Sequence, residues 1–169
     1  KMGIIANYQY LSNDNLKEIK SFYTKEDEIF EKVEDWNEEA KILLDMDKMW
    51  DALHFVLTGV GSDEFIKNNP LSEAIVGVSF IDDIEEHIAY TEKSRIKDIV
   101  LALYNFDIEK AMEKFSMKEF KKANIYPNIW DYEEEADEIK EELMYYFQKL
   151  KDFYNKILEV NGNVMVSIC

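Results

Sequence analysis

A carboxylate and an imidazole at helical spacing are the feature of this sequence closest to chemistry. In Asp51-Ala52-Leu53-His54 the two groups lie three residues apart, so on a helix they share a face. Asp51 could orient the ring, leaving His54 as a general base. The competing reading is a core or rim histidine satisfied by backbone groups. A second constellation is Tyr126-Pro127-Asn128-Ile129-Trp130-Asp131. Pro127 fixes its own φ and keeps Tyr126 extended, so two aromatic rings and a carboxylate flank a rigid turn. They could line a ligand pocket, with Tyr126 as a hydrogen-bond donor to developing negative charge. They could equally staple the entry to the helix that follows. Taken together, His54, Trp50, Tyr126, Trp130 and Asp131, with Asn7 and Tyr8, are expected around one cleft. His87, next to Glu85 and Glu86, is expected at the surface.

Other chemistries find little support. Asp51-x-x-His54 offers two metal ligands, but there is no Glu-x-x-His pair, no HExxH and no calcium loop, and a metal site is not expected. Gly59-Val60-Gly61-Ser62 has Glu64 in place of the third glycine of a dinucleotide loop and lacks the Gly-Lys-Ser/Thr of a P-loop. It reads as a helix stop and turn. No G-x-S-x-G elbow occurs, and no cofactor is indicated.

The elements that must position these groups follow from periodicity. Gly3 to Leu11 alternates as a strand. Ser12 caps a short helix with Leu16, Ile19, Phe22 and Tyr23 on its face, and Ile29, Phe30, Val33 and Trp36 continue with helical spacing. Leu43 to Thr58 reads as one helix capped by Asp45 or Asp47, with Met46, Met49, Trp50, Leu53, His54 and Leu57 on a broad face. Glu73 to Phe80 includes Ala74-Ile75-Val76-Gly77-Val78, which reads as a buried strand, and His87 to Tyr90 reads as another. Thr91 is expected to cap a helix bearing Ile96, Ile99, Val100, Leu103 and Tyr104. Two short helices lead to the Tyr-Pro turn. Asp131, paired with Glu134 in a capping box, then opens a long helix from about 132 to 159, roughly 40 Å. Its stripe is Ala136, Ile139, Leu143, Tyr146, Leu150, Phe153 and Ile157, widened by Phe147 and Tyr154, with Gly162 as its stop. Asn163 to Ile168 is the final strand. The expected fold is α+β: one compact domain over residues 1–169, with several helices, one of them long and C-terminal, on a small, mainly antiparallel sheet.

Composition bounds the function. A hydrophobic fraction of 47% argues for a packed core rather than disorder. No apolar run reaches the ~20 residues needed to span a membrane. Cys169 is the only cysteine, which excludes an internal disulfide and a cysteine zinc site. With no signal-peptide pattern, a cytoplasmic protein is expected. The net charge of −16 opposes nucleic-acid binding. Glu26 to Glu39 holds eight acidic residues and Glu133 to Glu142 seven. Such faces keep a protein soluble, or could dock a basic partner as an inhibitor or immunity-type protein does.

Several stretches together resemble the YfbM-like family of bacterial proteins of unknown function. They are Met2-Gly3-Ile4-Ile5-Ala6-Asn7-Tyr8; Leu44-Asp45-Met46-Asp47-Lys48 with Trp50 and Leu53-His54-Phe55-Val56-Leu57-Thr58-Gly59; Pro70-Leu71 with Ala74-Ile75 and Gly77; and Ile125 to Asp131 with Tyr146-Phe147, Leu150 and Phe153-Tyr154. The sequence departs from the family after Gly77. There the family is richer in glycine, whereas Val78 to His87 carries two Asp and two Glu. The resemblance implies a compact α+β domain and brings no reaction with it. The expected function is binding of a small molecule or a protein partner, with a small enzyme using His54 as the alternative.

Overall fold

The computed structural model of the chain describes residues 3–21, 26–82 and 86–169. Met2, Phe22, Tyr23 and Glu85, named above, lie outside the described residues. In chain order the elements are β1 (Ala6–Leu11), α1 (Asn13–Ser21), α2 (Glu26–Glu39), β2 (Leu43–Asp47), α3 (Trp50–Thr58), α4 (Pro70–Val76), β3 (Ser79–Phe80) and β4 (His87–Thr91). They continue with α5 (Lys93–Asn105), α6 (Ile108–Glu113), α7 (Met117–Lys122), α8 (Ala136–Glu159) and β5 (Asn163–Ile168). The five strands form one antiparallel sheet in the order β2-β1-β5-β4-β3. The fold is α+β, as expected.

The last strand is the centre of the sheet. β5 is buried along its whole length because both faces are covered. Val164, Val166 and Ile168 join Ala6, Tyr8 and Ala89 in the core beneath α3, α4, α5 and α8. Met165 joins Leu11 and Ile88 in a smaller core beneath α1 and α2. The long helix α8 carries the expected stripe, with Ile139, Leu143, Phe147, Leu150, Phe153, Tyr154 and Ile157 buried. At 24 residues it runs about 36 Å.

Four local expectations are corrected. Leu43 to Thr58 is a strand and a helix, not one helix. Leu44 and Met46 are buried between exposed Leu43, Asp45 and Asp47, a period of two. The strand ends where Asp47 takes φ 51° and donates its amide to Asp45 Oδ1 at 2.8 Å. Neither aspartate caps α3, which begins after Met49 without a side-chain cap. The strand expected at Ala74 to Val78 is instead the end of α4, which runs to Val76, and of the residues up to Phe80 only Ser79–Phe80 form a strand, β3. Asn69 Oδ1 accepts from the amides of Leu71 and Ser72, and Pro70 occupies the first turn. Ser72 to Val76 are all buried, so no period was there to separate a short helix from a strand.

Thr91 ends β4 rather than capping α5, and its Oγ1 is buried without a partner among the described residues. The cap comes from across the sheet: Lys93 N donates to Asn163 Oδ1 at 2.8 Å, while Asn163 Nδ2 donates to Leu11 O and Asn13 Oδ1. Asp131 does not open α8. It is exposed and pairs with Lys121, and a 3-10 turn at Glu133–Glu135 precedes the helix. At the other end Asn161 takes the left-handed φ of 52°, and Gly162 N donates to Ile157 O at 3.0 Å.

Gly77 makes the crossing from α4 to β3 possible. Its φ of 84° and ψ of 178° fall in a region reserved for glycine. An added Cβ would sit 2.7 Å from the Ala89 Cβ. Gly59 also has φ 84°, but open space surrounds it. In urea denaturation we expect Gly77→Ala to cost roughly 2–4 kcal/mol, against about 1 kcal/mol for Gly59→Ala.

Candidate functional site

His54 is fully buried at 0% exposure, and both ring nitrogens are occupied. The Val60 carbonyl 2.8 Å from Nδ1 can only accept, so Nδ1 carries the proton. Nε2 then accepts from the Ser72 hydroxyl at 2.7 Å, and Ser72 Oγ in turn accepts the Ile66 amide at 3.0 Å. Burial holds the imidazole pKa below its usual value, with the Val60 bond and the charges of Asp51 and Asp63 opposing. A general base needs a free lone pair within reach of substrate; this ring has none.

Asp51 does not orient His54. Its Oδ1 accepts the Ser62 amide and its Oδ2 the Tyr126 amide, both at 2.8 Å. It thereby fastens two loops to the first turn of α3. Its neighbour Trp50 donates Nε1–H to the Ile4 carbonyl at 2.9 Å, and the Tyr126 hydroxyl accepts the Ile4 amide at 2.9 Å. The Trp50 and Tyr126 rings stack with centroids 5.6 Å apart. Trp130 is buried, donates Nε1–H to Ile125 O at 2.7 Å and lies against Phe120. The structure therefore brings Trp50, Asp51, His54, Tyr126 and Trp130 together as a closed knot in which each named polar group has a protein partner.

The remaining expected site residues lie elsewhere. Tyr8 is a core residue whose hydroxyl donates to Ile75 O at 2.7 Å. Burial, and then Tyr154, push its pKa well up. Asn7 is adjacent in β1 and so faces the opposite side of the sheet, the side of Gln9, which bonds to Val33 of α2. Asp131 stands at the surface with Lys121.

Open space lies beside the knot. A cavity of about 300 Å³ is lined by Trp50, Ser62, Asp63, Phe65, Val76, His87 and Ile168. His87 is thus not the surface residue expected. It is half-buried on β4, donates Nε2–H to Val76 O at 2.8 Å, and packs edge-on against Phe80 at 4.8 Å. That bond leaves Nδ1 as the unprotonated, accepting nitrogen. Burial lowers the His87 pKa, with the Val76 bond opposing, so the ring is neutral near pH 7. Beyond Phe65 and Val76 lies a second cavity of about 420 Å³ that reaches Glu73, Gly77, Phe80 and Asp82. Glu73 is buried and paired with Arg95 Nε at 2.5 Å. Among the described residues no group of three or more His, Cys, Asp or Glu side chains could hold a metal ion, and no helix is long and apolar enough to cross a membrane.

The family model described as a domain of unknown function, DUF1877, matches residues 2–167. The chain belongs to this family. It is 30% identical over 126 residues to Protein YfbM of Escherichia coli strain K12, covering 74% of this chain and 75% of that one. It also shares its fold with the crystal structure of YfbM, a protein of unknown function from Escherichia coli. That match has a TM-score of 0.81 and 24% identity, and covers 98% of this chain and 99% of the other. Ile4, Trp50, His54, Tyr126 and Trp130, all within the stretches whose sequence resembles the family, make up the closed knot. The stretch from 78 to 87 contributes Val78, Phe80 and Asp82 to one cavity and His87 to the other.

The cavity residues Ser62, Asp63, Phe65 and His87 were not singled out as a site from sequence. The signal for His87 was present. Strand alternation puts it on the face of Ala89, and Ala89 is fully buried beneath the helices.

Both histidines have lowered folded pKa values. Their neutral forms contribute stability above the unfolded histidine pKa of about 6.5, and that stability is lost as pH falls from there through the folded values. We expect the urea midpoint to drop between about pH 7.5 and 5.5, and to drop less in His87→Gln, whose amide can still donate to Val76.

Proposed function

We propose that this domain binds a small organic cation, an amine or amidine on an apolar ring, in the cavity between Trp50 and His87. The observation that carries the reading is the polarity of the lining. Its polar groups without a hydrogen-bond partner among the described residues accept hydrogen bonds: His87 Nδ1 and the Asp63 carboxylate, with the Ser62 hydroxyl beside them, and no lysine or arginine is among the lining residues. Trp50 and Phe65 present ring edges or faces suited to an apolar body carrying positive charge. A volume of about 300 Å³ sits at the small end of ligand pockets. The net charge of −16 raises the local concentration of cations. Binding rather than catalysis is the reading supported, because the histidine here is oriented by a backbone carbonyl and not by a carboxylate.

The test is calorimetric titration with aromatic amines and amidines beside their carboxylate analogues. We expect the cations to bind and the carboxylates not to. Asp63→Asn should weaken binding by up to about fivefold, since the carboxylate is exposed and an exposed charge pair contributes at most about 1 kcal/mol. Equal binding of the two series, or an unchanged affinity in Asp63→Asn, would contradict the reading.

A further inference from the structure

The other flank of α3 borders a separate cavity, and we infer that it takes an apolar carboxylic acid. Its volume is about 430 Å³, within the range of ligand pockets. Four phenylalanines surround it. Phe55 meets Phe120 edge-on at 4.7 Å, Phe115 packs on Phe120 at 5.0 Å, and Phe106, which packs on Phe147 at 5.7 Å, also lines the space. Phe120 is buried, whereas Phe55, Phe106 and Phe115 are only half-buried, so apolar ring surface is left facing the space. Such a lining selects an apolar body.

The rim selects the head. Lys110, in α6, and Lys114, just past its end, stand four apart, and neither ammonium has a hydrogen bond or ion pair among the described residues. The carboxylate of Asp107 is engaged, accepting the Lys110 amide at 3.0 Å. Ser116 Oγ accepts the Glu119 amide, which leaves its hydroxyl proton to donate. The charged groups at the rim are thus two ammoniums and two carboxylates, Asp107 and Glu119; with Asp107 Oδ1 turned to the Lys110 amide, the donors left for a ligand are the two ammoniums and the Ser116 hydroxyl. A carboxylate head on an apolar chain or ring satisfies the donors while its body covers the phenylalanines. No residue is shared with the Trp50–His87 cavity, so either site can fail without the other.

Decanoate and decylammonium, titrated calorimetrically below their micelle concentrations, decide the matter. The protein's overall charge favours the ammonium, so tighter binding of decanoate would have to come from the local rim. We expect decanoate to bind with one-to-one stoichiometry and decylammonium to bind more weakly. Lys110→Gln/Lys114→Gln should weaken decanoate roughly three- to tenfold, and Glu119→Gln should tighten it by a smaller factor. These are surface changes that leave the fold intact. Val56→Trp, which fills the cavity, should abolish binding. Decylammonium binding as tightly as decanoate, or charge variants without effect, would overturn the inference, as would the absence of decanoate binding.

Discussion

One carboxylate sets the geometry of a whole side of this molecule. Asp51 accepts the amides of Ser62 and Tyr126, residues 11 and 75 positions away in sequence. Neither amide belongs to a sheet ladder or an α-helix, and an unpaired buried amide is costly. A charged acceptor makes such bonds about twice as strong as neutral ones. Once Tyr126 is held there, its ring stacks on Trp50 and its hydroxyl accepts the Ile4 amide. The start of the chain is then pinned beside β1. Gly3 fits because a Cβ would come within 2.8 Å of the Tyr126 hydroxyl.

Most of the polar atoms in this knot are already engaged by the protein itself. Catalytic groups need lone pairs, protons or dipoles left free for a substrate. Here His54, Trp50, Asp51 and Trp130 spend theirs on Val60, Ser72, Ile4, Ser62, Ile125 and the Tyr126 amide, and the Tyr126 hydroxyl accepts the Ile4 amide while keeping its proton. The consequence is a division of labour along α3. Its first turn and buried face hold the scaffold. Trp50 on one flank and Phe55 and Val56 on the other reach space that the protein itself does not fill.

Much of the fold was legible because the signals were strong and periodic. The stripe of α8 runs through seven buried residues, and β1, β4 and β5 alternate or are bounded by turn residues. What misled was short-range ambiguity. Met46 satisfies both a helix beginning before α3 and a strand with Leu44, and only the sheet partner Tyr8, opposite Leu44, decides between them. Residues 72–76 are buried throughout, which erases any period. The cap of α5 is supplied by Asn163, 70 residues away, a contact no local pattern encodes. In the site, sequence reasoning brought Trp50, Asp51, His54, Tyr126 and Trp130 together correctly but placed Asn7, Tyr8 and Asp131 with them, and it missed that Asp51 bonds to Ser62 and Tyr126 and not to His54, since spacing reports proximity and not whether a hydrogen bond is already taken. His87 was passed over because its acidic neighbours outweighed its strand register.

Hydrogen exchange of individual backbone amides tests the central claim most directly. Ser62 and Tyr126 lie in a loop and a turn, where amides ordinarily exchange fast. If Asp51 holds the scaffold, both will exchange as slowly as the interior amides of α3, near the rate set by global unfolding. Exchange at the rate of an open loop would show that the carboxylate is not bound to them. The cluster of His54, Trp50 and Tyr126 would then have to be read again as a site open to ligands.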